Sequence, residues 1–154
     1  MRPGRAGHAA RWFPGAMDSY PTVRQVVLDT PDARGLAEFY RQMFGLTYRE
    51  GDEIPADGAP DERGADWLVL RNPGGIALAF QQTTGITPST WPDAAIPQQL
   101  HLDTVVPDTE TLDAQHERAL ALGAKLLLDR RDDPHEPLRV YADPAGHPFC
   151  VFVG

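Results

Sequence analysis

Two short segments of the sequence place polar side chains at alternate positions of an apolar run. QVVLDTPD begins at Gln25 and HLDTVVPD begins at His101, and both end in Pro-Asp. Alternate side chains of a strand lie on one face, so Gln25 is predicted to share a face with Asp29, and His101 with Asp103. An imidazole and a carboxylate on one face could contact a ligand, bind a metal ion or accept a proton. They could equally be hydrogen-bonded within the protein, with the carboxylates paired to Arg139 or to backbone amides.

The two segments open two similar units of the chain. Each begins with a predicted strand, continues at Pro-Asp into a helix with an apolar face, and ends that helix at a glycine, Gly45 or Gly123. Three further strands follow in each unit, the last two of them around Asn-Pro-Gly-Gly or Asp-Pro-Ala-Gly. The predicted fold is therefore α+β, with two tandem βαβββ units sharing a curved mixed sheet and helices on the outer face.

The boundaries of these units follow from composition. Residues 1–19 form a predicted N-terminal arm, either disordered or an upstream extension, and 20–154 form one domain. Within it, 20–82 is the first unit, 100–154 is the second, and 83–99 is a linker with three prolines and no periodicity. Trp91 and Ile96 of the linker are expected to pack on the sheet or across a dimer.

The composition indicates which classes of partner the protein is expected to bind and in which compartment it is expected to lie. The chain of 154 residues has a formal charge of −8, which argues against nucleic acid and favours neutral or cationic ligands. It has no apolar run long enough for a transmembrane helix, so no membrane partner is expected. The single cysteine, Cys150, fits a reducing compartment and predicts a cytoplasmic protein.

Strand parity predicts which side chains line the face of the sheet that points away from the helices, here called the cup face. Aromatic and polar groups on such a concave face make a plausible small-molecule site. The residues assigned to the cup face are Gln25, Asp29, Trp67, Gln81, His101, Asp103, Arg139, Tyr141, Cys150 and Phe152.

Several of these assignments have structural alternatives. Cys150 could be a small buried hydrophobe, and Gln25 could form a hydrogen-bonded pair with Gln81 across a pseudo-twofold axis. The aromatic side chains could be core or pocket wall, or could fill the cup themselves. Outside the cup face, His147 in a Gly-His-Pro turn is predicted to be exposed, and His116 on the second helix to be structural.

Three motifs give the sequence a family resemblance. Asp32 stands seven residues before Phe39-Tyr40, ALGAK leads into a strand, and YADPAGHPFCVF closes the second unit. With two βαβββ units, these motifs make residues 22–153 resemble the vicinal oxygen chelate superfamily, which includes glyoxalase I, bleomycin-resistance proteins and extradiol dioxygenases. The closest similarity is to small bacterial glyoxalase-like proteins.

The resemblance implies where a metal site would lie. Metal enzymes of the superfamily carry His or Gln on the first strand of each unit and Glu on the last. The matching positions here are Gln25, His101, Cys150, and either Ala79 or Gln81. Neither Glu position holds a carboxylate, so a ligand and the usual catalytic base are both replaced. His101 and Cys150 are donor types that zinc accepts, but zinc sites normally have three or four protein ligands.

The sequence therefore favours a glyoxalase-like protein that binds a small organic molecule in the cup, as a binder resembling bleomycin-resistance proteins or as a metal-free catalyst. No cofactor is expected. The alternative is a metal-dependent lyase, isomerase or dioxygenase, with a divalent metal held by His101, Gln25 and Gln81 and with His101 and Asp103 as catalytic groups. A structural or regulatory protein with a filled cup is a third possibility. The resemblance also implies a homodimer.

Overall fold

The computed structural model describes residues 21–154, so the predicted N-terminal arm lies outside the described residues. Each unit has the predicted βαβββ order, and the α+β class is confirmed. The elements of the first unit are β1 Gln25–Thr30, α1 Ala33–Phe44, β2 Thr47–Tyr48, β3 Trp67–Arg71 and β4 Ala77–Gln82. Those of the second are β5 Leu102–Val106, α2 Thr109–Ala121, β6 Lys125–Arg130, β7 Leu138–Ala142 and β8 Pro148–Val153.

Each unit forms a four-stranded mixed sheet. The strand orders are β1-β4-β3-β2 and β5-β8-β7-β6. The first strand of each unit runs parallel to the last, and the remaining neighbours are antiparallel. Within residues 21–154 the strands pair only inside their own unit, so the two sheets share a core but no strand-to-strand hydrogen bonds.

Both helices begin where the sequence predicts. The Asp32 carboxylate accepts a hydrogen bond from the Gly35 amide at 2.8 Å, and the Asp108 carboxylate accepts one from the Thr111 amide at 2.7 Å. Each bond satisfies an amide that has no partner within its own helix. Helix α1 ends at Gly45, whose φ of 65° is a left-handed conformation that glycine adopts without a steric penalty. Neither helix within residues 21–154 is both long and apolar enough to cross a membrane.

An aromatic cluster joins the two units. Phe149 of β8 lies beneath α1, with its ring centroid 5.8 Å from that of Phe39 and 6.0 Å from that of Phe44. Tyr40 packs against Phe149 and also against Phe80 of β4. Edge-to-face and offset aromatic pairs add about 0.5–1.5 kcal/mol each beyond the burial of their area. The cluster fixes the side of each sheet that faces the helices, and hence the side that forms the cup face.

Candidate functional site

In the first unit, the predicted cup-face residues lie on the predicted face. Gln81 of β4 is the register partner of Asp29 on β1 and of Trp67 on β3. Gln25 is the register partner of Ala77, and this pair lies four residues before the pair Asp29–Gln81 along the two strands. At about 3.3 Å per residue, this separates Gln25 from Gln81 by roughly 13 Å along the sheet. The predicted Gln25–Gln81 hydrogen-bonded pair is therefore wrong.

In the second unit, four of the predicted residues lie together on the cup face: His101, Asp103, Cys150 and Phe152. Asp103 is the register partner of Cys150, and Val105 of Phe152. His101 lies just before β5, outside the strand that was predicted to contain it. Its Nε2 lies 3.5 Å from a carboxylate oxygen of Asp103, and its Nδ1 lies 3.2 Å from the amide nitrogen of Gln98.

Arg139 and Tyr141 lie on the helix-facing side of the second sheet, contrary to prediction. Tyr141 is fully buried and stacks on Phe149, and its hydroxyl lies 3.1 Å from Nδ1 of His116. Burial raises the pKa of Tyr141 to about 12. The physical reason is the β7–β8 register, which pairs Tyr141 with Phe149. Register partners share a face, so Tyr141 and Cys150 must point in opposite directions.

The Arg139 side chain is tied to α2 rather than to the cup. Its guanidinium lies 2.9 Å from Asp113 and 3.1 Å from Asp129, and it also donates to the Leu112 carbonyl. It therefore cannot neutralise Asp29 or Asp103, as one alternative supposed. The predicted structural role of His116 agrees with its contact with Tyr141.

A cavity of about 190 Å³ opens above Cys150 and is here called the cup cavity. It is lined by Trp91, Gln98, His101, Asp103, Val140, Phe149 and Cys150. The Cys150 side chain is buried, and this burial raises its pKa to about 11, with smaller contributions from Asp103 and Glu136. The thiol is therefore protonated at neutral pH in the metal-free protein, and in that form it is a weak nucleophile.

A second cavity of about 250 Å³ lies where the linker crosses β1, and is here called the linker cavity. Its walls include Val27 and Asp29 of β1, Ile86 and Gln98 of the linker, and His147 of the β7–β8 turn. Gln98 lines both cavities, so the two adjoin. Each is smaller than the roughly 300–1,000 Å³ of typical ligand sites, which favours a small ligand or one that occupies both.

A larger groove, of about 510 Å³, lies elsewhere. It runs from the end of α1 and the β3–β4 turn to β5 and α2. Asp103 is the one predicted site residue among those that line it. Its walls combine apolar side chains of both units with Gln115 and Arg118 of α2, neither of which lines the cup cavity. The groove is not the site that the sequence indicated.

The residues present do not fit the metal site that the resemblance implies. Among residues 21–154, no three His, Cys, Asp or Glu side chains converge in a way that could hold a metal ion. Gln25 and Gln81 lie at opposite ends of their strands, so they cannot bind one metal ion together. His101 has only Asp103 as a nearby acidic neighbour. This donor set lacks the three or four converging ligands that a metal site needs.

Several side chains of these cavities were not assigned to a site from the sequence, among them Trp91, Gln98 and His147. Trp91 and Gln98 come from the linker, which has no periodicity from which a position could be inferred. His147 was predicted to be exposed, and that is wrong: its side chain is 16% exposed and its Nδ1 lies 2.8 Å from an Asp143 oxygen. The signal was present in the sequence, because Asp143 stands four residues earlier across a tight Pro-Ala-Gly turn.

Comparison with family models identifies the chain. The model of the glyoxalase-like domain matches residues 25–152, from the first residue of β1 to the penultimate residue of β8. The chain belongs to the glyoxalase-like domain family. The predicted resemblance to the vicinal oxygen chelate superfamily is thereby confirmed. Comparison with curated proteins finds no match.

Solved structures share the fold of this glyoxalase-like chain. A glyoxalase/bleomycin resistance protein/dioxygenase family enzyme from Burkholderia phytofirmans PsJN is 19% identical with a TM-score of 0.62, covering 86% of this chain and 98% of that one. Lactoylglutathione lyase from Agrobacterium tumefaciens is 19% identical with a TM-score of 0.53, covering 92% and 96%.

A third similar structure contains a metal. A mutant of the fosfomycin resistance protein FosX from Listeria monocytogenes, complexed with manganese(II) and a dihydroxypropylphosphonic acid, is 16% identical with a TM-score of 0.62, covering 88% and 94%. At these sequence identities the similar structures establish the fold alone, and the chemistry has to be inferred from the residues of this chain.

Proposed function

We propose that this glyoxalase-like protein binds a small organic molecule in the cup cavity without a metal ion. The observation that carries the proposal is the cavity above Cys150, where Trp91 of the linker faces His101 and Asp103. Aromatic walls with a few convergent polar groups are the usual composition of small-molecule sites. Cys150 stands where the metal enzymes of the superfamily carry Glu, and it supplies a protonated thiol in place of a carboxylate.

The polar groups of the cavity favour a neutral or cationic ligand. Asp103 is 59% exposed and His101 is 46% exposed, so both can contact a molecule that enters from solvent. The indole of Trp91 offers a face on which a planar or cationic group can stack. The formal charge of −8 repels anions from the protein as a whole. The mechanism that follows is recognition: stacking on Trp91, with hydrogen bonds to His101 and Asp103.

The competing function is a metal-dependent lyase, isomerase or dioxygenase. It draws support from superfamily membership and from the manganese complex of the similar FosX structure. The donor set around the cup cavity does not fit it. A metal enzyme on this chain would need ligands in addition to His101 and Cys150, because Gln25 and Gln81 lie at opposite ends of their strands.

The proposal is tested by screening small aromatic and cationic compounds by thermal shift on protein treated with a chelator. Each hit is then titrated by calorimetry against wild type, Trp91→Ala, His101→Ala and the control His135→Ala. His135 is exposed in the β6–β7 loop and lines neither cavity. We expect the Trp91 and His101 variants to lose about tenfold or more in affinity, the equivalent of about 1.4 kcal/mol, while His135→Ala binds normally. Hits that bind all four proteins equally would contradict the proposal.

A further inference from the structure

The β7–β8 turn contains a buried carboxylate surrounded by donors. The Asp143 side chain has no exposed surface. Its Oδ1 accepts hydrogen bonds from the amides of Ala145, Gly146 and His147 at 2.7–2.9 Å. Its Oδ2 accepts the Tyr40 hydroxyl at 2.9 Å and lies 2.8 Å from His147 Nδ1. The carboxylate thus acts as an acceptor for every neighbour that it contacts.

This arrangement fixes the tautomer and orientation of His147. The Tyr40 hydroxyl is a donor because burial and the nearby Asp143 raise its pKa far above the ordinary range. With the Asp143 oxygens already accepting, Nδ1 of His147 is the group that donates to the carboxylate. Its Nε2 is then left with a free lone pair, ready to accept a hydrogen bond.

The linker packs closely over this turn. Gly146 has a φ of 101°, and a Cβ built there would lie 2.5 Å from Cβ of Pro88. Only glycine allows the linker to approach so closely at that backbone conformation. Pro88, Gly146 and His147 all line the linker cavity, together with Val27 of β1 and Ile86 of the linker.

A second polar group lines the same cavity. Asp29 is exposed on the cup face of β1, and its carboxylate is a hydrogen-bond acceptor like Nε2 of His147. The other lining residues are both apolar, such as Val27, Ile86 and the linker prolines, and polar but uncharged, such as Ser89 and Gln98. A cavity that offers two acceptors and an apolar wall is complementary to a group that has several donors, a positive charge and an apolar substituent.

We propose that the linker cavity is a subsite for an organic ammonium group, held between the Asp29 carboxylate and Nε2 of His147. The inference rests on the proposed function, because the cavity adjoins the cup cavity at Gln98 and would receive the amine end of a ligand whose ring stacks on Trp91. His147 is a ligand-contacting residue in this arrangement. Asp143 is a positioning residue that acts through it.

The test uses three probes that share one ring: benzylamine, benzyl alcohol and benzoate. The full-length ¹⁵N-labelled protein is titrated with each, and two-bond ¹H–¹⁵N spectra of the histidine side chains report on Nε2 of His147 directly. We expect benzylamine to shift this resonance in a saturable way and to bind about tenfold more tightly than benzoate, since a charge-assisted hydrogen bond is gained and a repulsion is avoided. Asp29→Asn and His147→Gln should each remove most of that preference, and His135→Gln should leave it unchanged.

The outcomes separate this inference from the proposed function. If benzylamine perturbs Trp91 and Cys150 but not His147, the proposed ammonium subsite is wrong, whereas the proposed binding in the cup cavity is supported. Equal affinity for benzylamine and benzoate would also overturn the subsite. Probes that perturb neither cavity would count against both proposals. If His147→Gln does not fold, the wild-type Nε2 shift and the Asp29→Asn titration decide the question, since Asp29 is exposed and does not belong to the core.

Discussion

At the scale of single residues, the most informative side chain is Cys150. It occupies the cup face of β8 opposite Asp103. The family resemblance implies a Glu at this position in the metal enzymes, and a glutamate can act as a base, whereas a protonated thiol cannot. The residue therefore favours recognition over the usual chemistry of the fold.

The Cys150 thiol is predicted to react only at high pH. Its pKa of about 11 lies above the value of about 8.5 for a free cysteine, so the reactive thiolate stays scarce until the pH approaches 11. The rate of alkylation by iodoacetamide, measured from pH 7 to 11, should rise through the whole range without a plateau. The urea-unfolded chain is the control and should level off near pH 9 to 10. A plateau in the folded protein near pH 9 would contradict the account.

At the scale of elements, the hydrogen bond from Tyr40 to Asp143 connects α1 of the first unit to the β7–β8 turn of the second. Both partners are buried, so the loss of either leaves the other without a partner in a region that excludes water. The link holds together the turn that carries His147 and the aromatic cluster around Phe149.

The variant Tyr40→Phe is expected to lower the free energy of unfolding by about 1.5–3 kcal/mol, the typical value of a hydrogen bond to a charged group. Tyr48→Phe is the matched control: its hydroxyl donates to Glu38 at 3.0 Å on the partly exposed surface of α1, and its loss should cost about 1 kcal/mol or less. Urea denaturation followed by circular dichroism measures both. Equal losses of unfolding free energy in the two variants would show that the buried hydrogen bond to Asp143 contributes no more to stability than the partly exposed one to Glu38.

The elements also show what the sequence could and could not predict. The βαβββ order of each unit was predicted correctly, and the helix starts were read from Asp32 and Asp108 because capping is a local property. The face of β7 was assigned wrongly, since alternation along a strand does not say which set points inwards. The register with Phe149, which depends on the turn, decides it. The positions of the linker side chains in the cavities were not predicted, because an aperiodic segment has no local sequence pattern that indicates where its side chains lie.

At the scale of the whole molecule, the two sheets leave edge strands without a partner. Among residues 21–154, β1 and β5 each pair on one side only, and Val105 of β5 is 58% exposed beside the large groove between the units. Exposed apolar edges commonly pair with another chain. The account predicts that a second copy of the chain covers this region.

The predicted homodimer is tested by light scattering coupled to gel filtration at micromolar concentration. Wild type should elute at twice the chain mass of 16.9 kDa, and Val105→Lys should shift the population towards monomer because a charge would be buried at the interface. Leu120→Lys is the control, since Leu120 is 43% exposed on α2 and does not line the large groove. A monomeric wild type would contradict the prediction.

The central claim is that the cup binds its ligand without a metal ion. The most direct measurement is the metal content of untagged protein by plasma mass spectrometry, after incubation with manganese, iron, nickel or zinc and removal of excess ion, with His101→Ala alongside. The account predicts well under one metal per chain in both proteins, and ligand affinity that a chelator does not change. About one metal per chain, lost in His101→Ala and needed for ligand binding, would contradict it.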